Sequence, residues 1–250
     1  MTRRKLVTGN WKMNGSLAAL GELDGIAAAA LAHPQVDVEI AVPFTLIAPA
    51  AARATQLRIG AEDVHAAASG AFTGSVSAGM VKEAGASFTL VGHSERRIAF
   101  GERSHDIWGK AMAARREGLG VILCCGENEG QRDVGRATNL VDSQIELSVP
   151  HDAAADWLTI AYEPTWAIGT GRTPTHDDIE AMHGVIRTKL CLLLGAERGE
   201  AIRILYGGSV SPTNAAAIMA LDNVDGALVG GASLAAASFV PIIEAAAAIG

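Results

Sequence analysis

Short runs of β-branched and other apolar residues alternate along this chain with longer alanine-rich stretches of helical character. The runs that read as strands are 5–10, 36–42, 57–63, 88–93, 120–125, 157–163, 202–207 and 224–229. Short β-branched runs of this kind read as strands. Between them, Ser77, Ser104, Thr175 and Ser233 stand where a side-chain oxygen would cap a helix. Ser211 with Pro212 pairs a cap residue with proline at the first helical position. The alanine blocks at 27–30 and 245–248 read as close-packing helix faces, because alanine has the highest helix propensity.

No Pro-, Gly- or Ser-rich linker interrupts the alternation, which places residues 1–250 in a single domain. Eight strand–helix repeats over 250 residues fit an α/β fold of the closed (β/α)8 barrel type, for which that length is typical. An open doubly wound sheet alternates in the same way, so the pattern by itself leaves both architectures standing.

Composition narrows the function more than the fold. Hydrophobic residues make up 49% of the chain, enough for a sizeable core and too many for a disordered tail or a small disulfide scaffold. Lys and Arg number 20 against 27 Asp and Glu, a net charge of −7 with no basic run to neutralise the phosphates of a nucleic acid. A nucleic-acid partner is therefore not expected. A small anion remains compatible, because a few local donors outweigh the charge of the whole molecule. Cys124, Cys125 and Cys191, two of them adjacent, make no disulfide framework and point to a cytoplasmic protein. The basic start lacks the apolar stretch of a signal peptide, and 238–249 carries Pro241 and Glu244 and falls short of the roughly 20 residues of a membrane span. No membrane partner is expected.

In either architecture the loops after the carboxyl ends of strands carry function. Those ends hold Asn10 and Lys12, then His93, Ser94 and Glu95, then Glu163 and Pro164, then Gly207, Gly208 and Ser209, and finally Gly230 and Gly231. Glycine turns let backbone N–H groups approach and cradle a phosphate dianion, and barrels of this type place such a site after strands seven and eight. Ser233 would open the short helix facing the anion. Either glycine pair alone would merely make a turn; two on adjacent strands favour a site. Pro164 biases Glu163 away from helix, and a carboxylate withdrawn from water has a raised pKa and serves as a base for a proton next to a carbonyl. In isolation Glu163 reads as a solvated loop residue. The segment that follows, 167–171, has a small apolar tip and hinge-capable ends suited to closing over a site.

A helix opening at Ser94 would aim N–H groups at the His93 ring and favour neutral imidazole, which donates a proton to a developing enediolate oxygen. Lys12 would pair with that oxygen and with phosphate. Other templates fail on inspection. Residues 92–96 lack the last glycine of a nucleophile elbow, Lys110 is followed by Ala111 where a P-loop needs Ser or Thr, and no dinucleotide fingerprint occurs. Glu62, Asp63 and His65 read as surface or interface residues, so no metal and no cofactor is assigned.

Read together, the blocks GNWKMNG (9–15), GAFTG (70–74), VGHSERR (91–97), CCGE (124–127), AYEPTWAIGTG (161–171), YGGSV (206–210) and DGALVGGASL (225–234) resemble the triosephosphate isomerase family over essentially the whole chain. The resemblance implies that Glu163 is the base, His93 the electrophile, and Lys12 and Asn10 the groups that stabilise substrate and intermediate. It further implies phosphate binding by backbone N–H groups of Gly169, Ser209 and Gly231 with Gly230 alongside. Ile168 and Leu228 would shield Glu163, Glu95 would support Lys12, Ser94 would assist the His93 site, and Cys124 would pack rather than react. The substrate would be a triose phosphate, interconverted between ketose and aldose in glycolysis and gluconeogenesis.

A homodimer is also implied, with the loop around Thr73 inserted near Asn10 and Glu95 of the other copy. Ser75 stands where the family usually has glutamate, Glu62 where glutamine is common, and Thr165 where valine is usual. The first two bear on the dimer surface and the third on the hinge of the closing segment. Two alternatives are a tetrulose-phosphate isomerase and a phosphate-binding barrel without catalysis. The intact glycine runs at 169–171 and 231–233 favour the triose substrate, and the presence of Lys12, His93 and Glu163 disfavours the inert barrel.

Overall fold

Each apolar run becomes a strand because its side chains are buried in alternation, one set against helices and the other inside a closed cylinder. The computed structural model describes residues 3–167, 172 and 174–249. The strands are β1 (Leu6–Asn10), β2 (Asp37–Val42), β3 (Arg58–Ala61), β4 (Phe88–Val91), β5 (Gly120–Cys125), β6 (Leu158–Tyr162), β7 (Arg203–Tyr206) and β8 (Gly226–Val229). They form a closed parallel barrel in sequence order, because β1 pairs with both β2 and β8. Closure excludes the open doubly wound sheet.

The alternation produces two buried clusters. Leu6, Phe88, Leu90, Ile122, Leu205 and Leu228 belong to the small one inside the barrel, while Val7, Val91, Leu123, Ile204 and Val229 belong to the large one between strands and helices. The interior is packed: Gly60 leaves room for the Phe88 ring, whose edge would lie 2.4 Å from a β-carbon at position 60. At the amino end of the strands, buried Glu39 pairs with Arg58 and Asp37 with Arg203, which leaves the opposite rim for chemistry.

The alanine blocks lie inside the helices Glu22–Ala32 and Ala236–Ile249. Among the described residues no helix is long and apolar enough to cross a membrane. Ser77 and Thr175 cap helices as expected, accepting from the Met80 and Asp178 N–H groups at 3.3 and 3.1 Å. Three other starts differ. Ser104 is already the first helical residue, since Asp106 reaches back to the Arg103 N–H at 2.9 Å and moves the cap one place earlier. Ser211 and Pro212 open a turn, and the helix Ala215–Met219 begins only after Asn214, whose Oδ1 accepts the Ser211 N–H at 2.8 Å. Ser233 lies within the short 3-10 helix Gly231–Leu234, where its hydroxyl donates to the Gly230 carbonyl at 2.7 Å instead of opening the helix.

Candidate active site

The rim at the carboxyl ends of the strands brings the expected side chains together. Asn10 ends β1 and is buried, and its Oδ1 accepts the Lys12 N–H at 3.0 Å. That bond supports a left-handed backbone at Lys12, with φ +55°, unusual for a residue with a side chain and common where strain is held for function. The turn aims the lysine across the rim, where Nζ meets Glu95 Oε1 at 2.6 Å.

Glu95 belongs to the helix Ser94–Ala99, which His93 caps: its Nδ1 accepts the Glu95 N–H at 3.3 Å. A ring that accepts at Nδ1 and donates at Nε2 is the neutral tautomer, but the facing carboxylate raises the ring's proton affinity, against the expectation that a helix opening at Ser94 lowers it. Nε2 lies 2.8 Å from Glu163 Oε1, and the Ser94 N–H donates to Glu163 Oε2 at 2.9 Å. Both members of the pair are buried.

Burial drives the His93 pKa down, but the facing Glu163 carboxylate more than reverses this and moves it upward. For Glu163 burial pushes up, and the His93 ring, its hydrogen bond and the Ser94 N–H outweigh that and hold the group below the usual carboxylate range. This corrects the expectation of a raised Glu163 pKa. No local pattern in the sequence encodes the direct meeting of these two side chains.

Behind Glu163 stands a seat that sequence reasoning missed. The Glu163 N–H donates to the Cys125 carbonyl at 2.8 Å, and the Glu163 carbonyl rests on Gly126. Buried Gln144 grips Gly126 with both ends of its amide, Oε1 accepting the Gly126 N–H at 2.8 Å and Nε2 donating to the carbonyl at 3.0 Å. Next in the chain, buried Glu127 accepts from the Tyr162 hydroxyl at 3.0 Å and from Trp166 Nε1 at 2.8 Å on one oxygen. Glu127 closes the CCGE block and was within reach of a reading by motif. Gln144 sits in the helix Ala137–Ser148 with no local signal at all. Cys124 is buried with its thiol pKa driven well up by burial, which fits a packing role.

Asn10, Lys12, His93, Glu163, Gly207, Gly208, Ser209, Leu228, Gly230 and Gly231 line one cavity of about 210 Å³. The glycines are there for approach: a β-carbon at 208 would lie 2.2 Å from the Tyr206 hydroxyl, and one at 207 would lie 3.0 Å from Glu163 Cγ. Gly230 runs alongside Lys12, whose Cε would be 3.6 Å from a β-carbon at 230. Ile168 and Gly169 lie outside the described residues.

Thr73 lies elsewhere, in a cavity lined also by Asp63, His65, Ser75, Arg96 and Glu102. Between the two, a pocket of about 320 Å³ shares Asn10, Lys12 and His93 with the first cavity and adds Met13, Phe44, Glu62 and Phe100. Glu62 Oε1 is buried there with no hydrogen-bond partner among the described residues, and burial pushes the carboxyl pKa up to about 8. The three residues weighed as a metal site are engaged separately. Asp63 meets Lys110 at 2.6 Å and Arg96 at 2.9 Å, and His65 Nδ1 accepts the Ala67 N–H at 3.1 Å. Among the described residues no group of three His, Cys, Asp or Glu is placed to hold an ion.

A sequence profile of the family described as triosephosphate isomerase matches residues 5–246. Curated proteins named triosephosphate isomerase from Afipia carboxidovorans and Xanthobacter flavus are 53% and 54% identical over 245 residues. The alignments take in 97% of this chain and 97% and 98% of theirs. Among solved structures, a triosephosphate isomerase from Bartonella henselae superposes with a TM-score of 0.90 at 38% identity, covering 97% of this chain and 98% of that one.

Proposed function

The chain belongs to the triosephosphate isomerase family, and from that membership and the rim geometry we infer that it interconverts dihydroxyacetone phosphate and D-glyceraldehyde 3-phosphate. The observation that carries the reading is the 2.8 Å meeting of Glu163 and His93 in a cavity walled by Lys12 and two glycine loops. Main-chain donors of Ser209, Gly230 and Gly231, with Gly169, hold the phosphate, while Lys12 and Asn10 face the oxygens of the carbon chain. Glu163 removes the proton from the carbon beside the carbonyl, leaving an enediolate. His93 gives its Nε2 proton to one oxygen and recovers one from the other. Glu163 then returns its proton to the adjacent carbon.

Substrate must draw Glu163 away from Ser94 and His93. That removes the contacts which depress its pKa, leaves burial to raise its affinity for a proton, and frees Nε2 to face an oxygen. Ser94 and Glu95 act in support, and Leu228, with Ile168, keeps water from the base.

The protein acts as a homodimer in the cytoplasm, in glycolysis and gluconeogenesis, without nucleic acid, membrane or cofactor. Support for the dimer comes from Met13, Ile98 and Phe100, which are 97%, 73% and 71% exposed beside the catalytic rim. The Thr73 loop of a second copy, inserted toward Asn10 and Glu95, would cover them.

The test is a coupled assay with triose and tetrulose phosphates, together with titration of phosphoglycolate, an enediolate mimic. Turnover should favour the trioses, phosphoglycolate should bind far more tightly than inorganic phosphate, and Glu163→Ala should lower turnover by at least about 10² to 10⁴. Retention within tenfold of the parent would remove Glu163 from the role of base.

A further inference from the structure

Arg97 grips the peptides on both sides of His93. Its N–H donates to the His93 carbonyl at 3.1 Å, and its side-chain Nε reaches back to the Gly92 carbonyl at 2.9 Å. The Gly92 carbonyl shares a planar peptide with the His93 N–H, so this bond holds the plane through which the chain enters His93. The other arm of the guanidinium, Nη2, donates to the Cys124 carbonyl on β5 at 2.9 Å.

These bonds fall where the sheet stops supporting the chain. The β4–β5 ladder ends at the pair Val91 and Leu123, and Gly92 then turns into the left-handed region at φ +71°. Gly92 and Cys124 are the residues just past that pair, and one rigid, planar fork joins their carbonyls. Arg96, the preceding residue, pairs with Asp63 and Glu102, whereas among the described residues Arg97 forms no ion pair. Burial lowers the proton affinity of Arg97, and the Glu163 carboxylate is among the charges that favour its protonated form. Partial withdrawal of this guanidinium from water is thus offset by two charge-assisted bonds to main chain beside His93. Tilting the peptide they hold would swing the His93 ring, whose Nε2 lies 2.8 Å from Glu163 Oε1 at the wall of the cavity.

We propose that Arg97 is a positioning residue for His93: by joining the Gly92 and Cys124 carbonyls it fixes the peptide that enters His93 and so aims Nε2 at the substrate oxygens. The proposal rests on His93 being the group that gives those oxygens a proton. Because Arg97 acts through geometry, its loss slows the chemical step and leaves the grip of the glycine loops after β7 and β8 on phosphate as it was.

The experiment compares the parent with Arg97→Lys, which keeps a cation and loses the fork, and Arg97→Met, which keeps only the apolar stem. Each is measured for kcat and KM, for inhibition by inorganic phosphate, for melting temperature, and by NMR for the His93 Nε2 proton in protein with labelled histidine. That resonance is identified by its loss in His93→Gln. Both Arg97 variants should lose kcat by on the order of 10²-fold, with phosphate inhibition close to that of the parent and the Nε2 resonance displaced. Arg97→Lys carries the test alone if the methionine variant does not fold. Parental kcat in the folded variants overturns the proposal, as does an unmoved Nε2 resonance with only a lower melting temperature, the mark of a structural role. Full activity in Arg97→Lys with loss in Arg97→Met would assign the effect to charge and overturn the fork. Phosphate inhibition that weakens in step with kcat would mean damage spread across the rim, and overturns it equally. His93→Gln, assayed alongside, separates the two readings: full turnover there defeats the role of His93, whereas its loss with parental Arg97 variants defeats the positioning role alone.

Discussion

Gly126 and Glu163 are packed main chain to main chain: a β-carbon on Gly126 would lie 1.9 Å from the Glu163 carbonyl oxygen and 2.8 Å from its carbonyl carbon. No side-chain rearrangement relieves a clash with backbone. Gly126→Ala must push β6 outward or rotate the Glu163 peptide, and a misplacement of about 1 Å at a reacting group costs on the order of 10²-fold in rate. We expect kcat to fall by about that factor with a lowered melting temperature. Gly130→Ala is the control, because its β-carbon would meet nothing closer than Asn128 Oδ1 at 3.7 Å. A Gly126→Ala enzyme with parental kcat would show that the seat does not set the position of the base.

How far the chain could be read in advance follows from what hydrophobicity reports. The run 120–125 matches β5 at both ends, whereas Val36, Leu57, Ile202 and Val224, at the starts of their apolar runs, lie before the strands and not in them. All four are buried, so an apolar residue announces burial and not ladder pairing. The rim residues Asn10, Lys12, His93 and Glu163 were legible because a barrel puts the ends of its strands in one place. Gln144 was not, because its link to Gly126 joins residues 18 apart through a side-chain amide that no local pattern encodes. The depressed Glu163 pKa was missed for a similar reason: burial is visible in a sequence, while the partner that outweighs it is a matter of distance.

Glu62 ties stability to pH in the alkaline direction. Its carboxyl titrates near 4.5 when unfolded and about 8 when folded, so the folded state holds the extra proton between those values. Stability from this group is complete below 4.5 and drains as pH rises through 8. Removing the ionisable group while keeping its size should abolish that slope. Glu62→Gln should unfold at higher denaturant than the parent at pH 8.5, with the gap closing toward pH 5. Equal midpoints at both pH values would mean that the carboxyl is not protonated in the fold.

His183 carries the opposite slope. It is fully buried between the rings of Tyr162 and Tyr206, its Nδ1 lies 2.9 Å from the Asn223 carbonyl, and Nε2 has no hydrogen-bond partner among the described residues. Burial lowers its pKa from 6.5 to about 4, so within that window the unfolded chain binds the extra proton. The folded state is therefore unpenalised above pH 6.5 and loses stability as pH falls toward 4, by about 3 kcal/mol in all. His183→Phe should be destabilised at pH 7.5 by the lost bond to Asn223 and the enforced repacking. Its stability should nonetheless fall less steeply than that of the parent between pH 6.5 and 4. Parallel curves for the two proteins in urea titrations across that range would place the acid sensitivity on other groups.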